Sequence, residues 1–228
     1  LLHQGHVVSV DRLVEDIWPT SPPADARHAL EAHASRLRSL LGENVPLLAR
    51  PPGYVLVVDP QSVDSVRFEQ LLAEAREAQS VDPARASARA SDALALWRGD
   101  AYADFAFESF AQEEIARLEE LRREAEEEHV EAELALGRSG ELIGDLEALV
   151  AASPLRERRR GQLMLALYRA GRQTDALETY QAARVSLLEQ SGLDPRCLHL
   201  ELTETAIIDL QPDTLRQLGR IRDLGVEI

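Results

Sequence analysis

The sequence is poor in the residues that hold small secreted or membrane-bound folds together. It has a single cysteine, Cys197, which excludes an internal disulfide framework and fits a reducing compartment such as the cytoplasm. Aromatic residues make up only 4% of the chain, and lysine is absent, so all 25 basic residues are arginines. No apolar run approaches the roughly 20 residues that a membrane-spanning helix needs. We therefore expect neither a disulfide-stabilised nor a membrane-spanning domain.

Acidic residues outnumber the arginines, and the excess is uneven along the chain. The 228 residues include 40 acids, which gives a formal net charge of −15. Residues 1–60 contain 5 arginines and 7 acids, whereas residues 61–195 contain 16 arginines and 27 acids. A net charge this negative disfavours non-specific binding of the whole chain to nucleic acid. The acidity is concentrated in the middle of the chain.

What the sequence does contain is a helix-turn-helix pattern that occurs twice at a fixed spacing. Residues 153–189 predict two helices separated by Gly171, which suits the left-handed position at a helix end. Gly137 opens an earlier Gly-Arg pair, and its distance from Gly171 equals the tetratricopeptide period of about 34 residues. An ordinary helical bundle with a chance coincidence of Gly-Arg pairs is the alternative. The repeat is favoured because the apolar residues also keep helical spacing, namely Leu163, Met164, Leu167, Ala176, Leu177, Tyr180 and Ala183.

Residues 1–59 predict a compact block of two helices and a hairpin. Ser9 can cap a helix that Pro19 ends, and a second helix is predicted from about Asp25 to Leu41, followed by Gly42. Two short β-type runs flank Pro51-Pro52-Gly53. Helical spacing predicts that the apolar faces of the two helices are Leu13, Val14, Ile17 and Trp18, and Leu30, Leu37 and Leu41.

The middle of the chain also predicts helices, including a long one over about residues 109–136. That helix is rich in glutamate, at positions Glu124, Glu126, Glu127, Glu128, Glu131 and Glu133. A metal site is one interpretation, but a solvated face is favoured because the acids spread around the helix without histidine at ligand spacing. Trp97 fits a buried anchor better than a ligand platform. The aromatic residues before the long helix are expected to pack the loop onto the helices, with an exposed partner patch as the alternative: Tyr102, Phe105, Phe107 and Phe110.

Two regions together resemble the SARP (antibiotic regulatory protein) family of transcription activators. The first block resembles the OmpR-type winged helix-turn-helix of that family in VVSVDRLVEDIWP, PPADARHALEAHASRLRSLLG and LLARPPGYVLVVD. Residues 61–195 resemble the bacterial transcriptional activator domain that follows it, in ALALWRGDAYADF and PLRERRRGQLMLALYRAGRQTDALETYQ. The sequence lacks the family's N-terminal β-sheet and most of its first helix, and it opens without methionine. We therefore expect a fragment whose winged helix lacks part of its support.

The resemblance implies a DNA-binding role for the second helix of the block. In such winged helices this helix enters the major groove, which would place His28, Glu31, Ala32 and Arg36 at the bases. The same comparison implies phosphate contacts for Arg27, His33 and Arg38, and a minor-groove contact for Arg50 in the wing. Solvated surface arginines are the alternative, since the block's net charge is slightly negative.

The last segment, residues 196–228, departs from this pattern. Its ELTE motif resembles part of an EAL domain, the cyclic di-GMP phosphodiesterase barrel, and that resemblance would make Glu201 a metal ligand. A hard cation needs several oxygen ligands, so this single carboxylate predicts no catalysis. Residues 198–202 alternate as a barrel strand would, but the neighbouring strands of such a barrel are missing from the sequence. We therefore expect residues 196–228 to pack poorly, with 198–202 either irregular or paired opportunistically and a loosely attached helix over about residues 212–224.

These observations predict a mainly α fold in three parts. They are a partial winged helix-turn-helix (1–59), a tetratricopeptide-like activator domain (60–195) and an EAL-like fragment (196–228). The predicted function is a DNA-binding activator fragment, without enzymatic activity, metal or cofactor. The alternative is an inactive fragment of a cyclic di-GMP phosphodiesterase. Double-stranded DNA is the expected partner of the first part, and the helical part is expected to bind protein, either itself or RNA polymerase, without membrane contact.

Overall fold

The computed structural model describes residues 5–42 and 45–191, and most of them are helical, as the sequence predicts. The described residues fall into two compact units, one ending at Arg138 and one starting at Ser139. Within the described residues, no helix is both long and apolar enough to cross a bilayer. The segment 198–202 and the helix predicted over 212–224 lie outside the described residues.

The N-terminal block contains two helices and a small antiparallel sheet. Its elements are β1 (Val8–Ser9), α1 (Val10–Ile17), α2 (Ala26–Leu41), β2 (Leu47–Arg50) and β3 (Gly53–Leu56). The strands lie in the order β1-β3-β2, so the hairpin of β2 and β3 is extended by the short strand that leads into α1. The hydroxyl of Ser9 accepts a hydrogen bond from the Arg12 amide and caps α1, as predicted. The pairing of β1 was not foreseen, because a strand this short has no periodicity to detect.

The core of this block is smaller than the helical wheels predict. On α2, Leu30 and Ala34 are buried, whereas Leu37 is 43% exposed, so the prediction that Leu37 is buried is wrong. Ile17 on α1 is likewise 46% exposed, although Leu13 and Val14 are half-buried as expected. Helical spacing correctly predicts which side of each helix is apolar. Among the described residues, however, the neighbouring elements are too short to bury that whole side.

The rest of the described first unit contains three α-helices, α3 (Asp64–Ala78), α4 (Pro83–Leu94) and α5 (Ser109–Ala135), and two short 3-10 helices, Pro60–Ser62 and Ala103–Phe105. Phe68 and Leu72 of α3, Ala93 of α4 and Ala125 of α5 form one buried cluster. A second cluster consists of alanines alone, Ala78, Ala86 and Ala132, and such small side chains allow the helix backbones to approach closely. Asp82 caps α4 through a 3.0 Å hydrogen bond from the Arg85 amide, and Pro83 occupies the first helical position.

The expected solvated glutamate face of α5 is only partly present. Glu127, Glu128 and Glu133 are buried, which contradicts the prediction for these three acids. Glu133 shows how a buried carboxylate is tolerated: Arg138 donates to both of its oxygens, at 3.0 and 2.8 Å, and the Ser87 hydroxyl also donates to it. Burial acts to raise the pKa of Glu133, but these hydrogen bonds outweigh burial and hold that pKa below its ordinary value.

The second unit contains α6 (Ser139–Ala152), α7 (Glu157–Arg169) and α8 (Gln173–Ser191). Leu142, Ile143 and Leu146 of α6 are buried, as are Leu163 and Leu167 of α7 and Ala176 of α8. Consecutive helices of this unit pack against each other, α6 on α7 and α7 on α8. The unit therefore consists of antiparallel helices joined by short turns, as a tetratricopeptide-like domain requires.

The predicted repeat is visible in the hydrogen bonds of two turns. The Arg138 amide donates to the Glu133 carbonyl at 3.1 Å, and one period later the Arg172 amide donates to the Leu167 carbonyl at 2.8 Å. Gly137 and Gly171 directly precede these arginines in the sequence. Their φ angles of 82° and 78° lie in the left-handed region that glycine favours. Both turns have the amide-to-carbonyl pattern of a Schellman motif, so the sequence period reflects one repeated local structure.

Candidate nucleic-acid interface

One face of α2 carries the side chains that the sequence predicts at the bases. His28, Glu31, Ala32 and Arg36 are all exposed, while Leu30 and Ala34 on the opposite side are buried. The side chain of Asp25 accepts from the His28 amide at 3.0 Å and fixes the first turn of the helix. Gly42, with φ of 68°, ends the helix, and its amide donates to the Arg38 carbonyl. The structure thus brings the four predicted residues together on one solvent-facing surface.

Arg36 differs from its neighbours because it has no partner within the described residues. The Nδ1 atom of His28 lies 3.9 Å from the Oε2 atom of Glu31, within the distance of an ion pair if the imidazole carries a proton on both nitrogens. Arg27 pairs with Asp11 of α1 at 2.9 Å, although both side chains are mostly exposed. An unpaired arginine on a helix face keeps all five of its N–H donors available for an acceptor such as a guanine edge.

Arg38 occupies a different position from the one that a pure phosphate contact implies. Its Nε donates to the carbonyl of Leu47 in β2 at 2.7 Å, and its guanidinium lies 5.6 Å from the centre of the Tyr54 ring in β3. These contacts join the end of α2 to the hairpin. No sequence pattern indicates them, because they depend on the folding of a later stretch of the chain back onto the helix.

His33 packs against the end of the first helix. Its ring centroid lies 5.9 Å from that of Trp18, and the two planes are tilted by 41°. The Trp18 side chain is half-buried and so supports α2 rather than standing free. Arg27 pairs with Asp11, and Arg38 bonds the Leu47 carbonyl. The ring contact of His33 is the third contact that orients α2 within the block.

The wing is a tight hairpin held close to β1. Arg50 ends β2, its side chain is exposed, and it makes no side-chain hydrogen bond or ion pair with the described residues. Gly53 starts β3, opposite Ser9, at a point where the two backbones nearly touch. A Cβ atom at Gly53 would overlap the Val8 carbonyl oxygen and lie 2.7 Å from its carbon. Only glycine leaves room for this approach, so the structure requires the glycine of the predicted wing motif.

The electrostatics of this surface are mixed rather than uniformly basic. Arg36 and Arg50 are the free cations among the predicted site residues, as far as the described residues show, while Glu31 and Asp11 add negative charge beside them. No group of three or more potential metal ligands exists in the described parts of the chain. The arrangement can offer a few directed arginine donors, and it does not provide the strong positive field of a non-specific DNA-binding surface.

The chain is similar to a known domain family and to named regulatory proteins. The family profile of the bacterial transcriptional activator domain matches residues 63–205. RedD, a transcriptional regulator of Streptomyces coelicolor, is 38% identical over 201 residues, which cover 85% of this chain and 57% of RedD. DnrI, a regulatory protein of Streptomyces peucetius, is 36% identical over 213 residues, covering 88% of this chain and 78% of DnrI.

A solved structure is similar as well. EmbR of Mycobacterium tuberculosis, in complex with a low-affinity phosphopeptide, superposes with a TM-score of 0.79 at 34% identity. The match covers 85% of this chain and 53% of EmbR. The chain thus spans only about half the length of EmbR and RedD, and one fifth of the regulatory protein AfsR of Streptomyces griseus.

The comparisons give no support to the EAL resemblance of the last segment. The reported relatives are named as regulatory proteins or transcriptional regulators, and the activator-domain profile continues to residue 205, beyond the predicted boundary at 195. The ELTE motif, with Glu201, starts inside that match. Residues 206–228, which contain the rest of the EAL-like stretch, lie outside the match.

Proposed function

Because the chain belongs to the SARP-type family of bacterial transcriptional regulators and carries its bacterial transcriptional activator domain, we propose that it is the DNA-binding and activator part of such a regulator. Residues 1–59 contact the DNA, and the helices that follow bind protein. The protein acts in the cytoplasm, without catalysis of its own. Of the relatives that match, RedD and EmbR are named as transcriptional regulators.

The observation that supports DNA reading best is the free guanidinium of Arg36 on an oriented helix. The helix is held near its start by Arg27 on Asp11 and near its end by Arg38 on the Leu47 carbonyl. Arg36 lies between these two contacts, is exposed, and has no partner among the described residues. Fixing the helix while leaving one arginine unpaired prepares that side chain for a bidentate contact with guanine.

The test of this role compares Arg36→Ala with Arg67→Ala. Arg67 is an exposed arginine of α3 that also lacks a side-chain partner among the described residues. Both variants are made in a longer form of the protein in which the family's N-terminal strands precede Leu1, and binding to operator and random duplexes is measured. Arg36→Ala should weaken operator binding by about 1–3 kcal/mol and relax the preference at one base pair. Arg67→Ala should change neither.

Equal losses on operator and random duplex for Arg36→Ala would contradict base reading. Arg38 is proposed to contact a DNA phosphate and Arg50 the minor groove, so Arg38→Ala should weaken binding to all duplexes and make the salt dependence less steep. Arg38→Ala should also loosen the hairpin, because it removes the contacts with Leu47 and Tyr54. Amide exchange in β2 and β3 distinguishes that loss from a lost phosphate contact.

The helical domain is proposed to bind protein because the domain is acidic and its helices form short antiparallel pairs. Stacked helical pairs usually present extended surfaces that bind protein segments. The net charge of residues 61–195 makes these helices an unfavourable surface for DNA. The protein bound is proposed to be either a second copy of the chain or RNA polymerase. Gel filtration with light scattering detects self-association.

A further inference from the structure

The connection between α4 and α5, residues 95–108, exposes aromatic side chains that have no cover among the described residues. Phe107 is 100% exposed, so the prediction that it packs the loop onto the helices is wrong, and Phe105 is still 47% exposed. The Phe105 ring lies 5.9 Å from that of Phe110, at the start of α5. A fully exposed phenylalanine is unfavourable in water, and clustered exposed apolar groups typically mark a binding surface.

A cavity of about 480 Å³ opens along the first part of the same connection, which lines it from Leu96 to Ala103. Phe68, Trp97 and Leu118 form its apolar wall, and the Phe68 and Trp97 rings meet edge to face at 5.4 Å. Its other wall runs through Tyr102 to Ala103, where the turn that carries Phe105 begins. The volume is in the range of pockets that accept a ligand or a bulky side chain.

Tyr102 adds an independent sign that this wall is built for binding. It has φ of 47° and ψ of 42°, the left-handed conformation that is unfavourable for a bulky residue. Its side chain is half-buried, and burial together with the nearby Glu114 raises the pKa of its hydroxyl. Backbone strain of this kind persists where the surroundings hold it, and it is concentrated at ligand-binding and catalytic sites.

The charge around the connection selects the kind of partner. Four carboxylates, those of Asp100, Asp104, Glu108 and Glu113, have no ion pair with the described residues. From Gly99 to Ala116 the sequence has no arginine that could neutralise them. The same short stretch therefore combines exposed aromatic rings, an adjoining apolar cavity and unpaired negative charge.

We infer that the α4–α5 connection docks a basic segment of another protein. One bulky apolar side chain of that segment fills the cavity, Phe105 and Phe107 cover it, and flanking arginine or lysine residues meet the four free carboxylates. The inference rests on the protein-binding role proposed for the helical domain and names its surface. A second copy of this chain is a poor occupant, because its net charge of −15 would oppose the same acidic surface.

The first experiment measures peptide binding to the whole chain by fluorescence anisotropy. The probe is a labelled synthetic peptide of arginines, leucines and one tryptophan; one control peptide replaces arginine with glutamate, and another replaces the apolar residues with alanine. We expect only the first to bind. Phe107→Ser should weaken it about tenfold, since the fully exposed ring gains burial only in the complex. Val81→Ser removes another apolar residue, 81% exposed and outside this surface, and should have no effect.

The second experiment separates the charge from the apolar contact. The double variant Asp104→Asn, Glu108→Gln should weaken binding and reduce its dependence on salt, whereas Glu77→Gln, an exposed acid of α3, should do neither. Binding of all three peptides alike, or no binding of any, would overturn the inference. A concentration-dependent dimer that Phe107→Ser abolishes would also overturn it, because the occupant would then be a second copy. DNA binding by the Arg36 and Arg67 variants reports separately on the proposed function.

Discussion

The close approach of Gly53 to β1 allows a sharp prediction about the winged helix. An alanine Cβ at this position would overlap the Val8 carbonyl oxygen, and it would lie 2.7 Å from the Val8 carbonyl carbon and 2.8 Å from the Ser9 Cα. Ordinary carbon contacts are about 3.5–4.0 Å, so β1 must move by roughly 1 Å to admit the methyl group. All three of these atoms belong to the backbone of β1, so no side-chain rotation can relieve the overlap.

The magnitude of the effect follows from what this movement breaks. The β1–β3 pairing joins Val8 to Tyr54 and Ser9 to Gly53, and the Val10 amide donates to the Pro52 carbonyl at 3.1 Å. Overpacking of a tight site costs about 1–3 kcal/mol, and each lost hydrogen bond costs about 1 kcal/mol. With one hydrogen bond lost, we expect Gly53→Ala to lower the free energy of unfolding of the block by about 2–4 kcal/mol.

The matched control is the same substitution at Gly144. This glycine lies inside α6, and nothing would come within 4 Å of a Cβ atom there. Alanine in a helix interior is favoured over glycine by about 0.5–1 kcal/mol, so Gly144→Ala should stabilise its unit. Amide hydrogen exchange or a urea titration followed by NMR reports each unit through its own residues. Equal and small effects at both positions would refute the close-approach argument.

Three further substitutions test the interactions inside the first unit. Glu133→Gln should lower the free energy of unfolding at neutral pH by about 1–3 kcal/mol. The pKa of Glu133 is lowered in the folded state, so its carboxylate stabilises the fold above the ordinary pKa of about 4.3. This stabilisation is lost as pH falls through the folded-state pKa. A pH series of urea titrations should therefore show the unfolding free energies of wild type and Glu133→Gln converging in acid. Ser9→Ala should cost about 0.5–2 kcal/mol by removing the cap of α1, measured against Ser80→Ala as an exposed control outside the helices. Leu72→Ala should cost about 2–5 kcal/mol because its side chain is among the most buried in the first unit, and thermal unfolding would show an unchanged midpoint if that packing were unimportant.

The sequence was most informative where a local group decides the structure. Ser9 and Asp25 cap the two helices of the first block with their own side chains, and Gly42 and Gly171 end helices because they adopt positive φ. These signals act over a single turn of the chain, so no knowledge of the fold is needed to interpret them. The repeat period was equally readable, because both turns have the same backbone hydrogen bonds.

Burial was harder to predict because it depends on the neighbouring elements. Ala34 and Leu37 lie on the same side of α2, yet the smaller residue is buried and the larger one is exposed. A helical wheel gives the direction of a side chain but not the extent of the surface that covers it. The buried acids of α5 illustrate the opposite error: Glu133 is tolerated inside because Ser87, on the neighbouring helix α4, and Arg138 satisfy its oxygens.

The candidate site shows why residue type alone could not separate supporting from recognising side chains. Arg36 and Arg38 are two positions apart on one helix and chemically identical, so the sequence offers both to DNA. In the structure, Arg38 is used by the Leu47 carbonyl and the Tyr54 ring, while Arg36 remains free among the described residues. The difference arises because two positions along a helix rotate a side chain by about 200°, which turns one arginine toward the hairpin and the other toward solvent. A base-specific effect should therefore follow from Arg36, whereas the effect of Arg38 should pass in part through the wing that it holds.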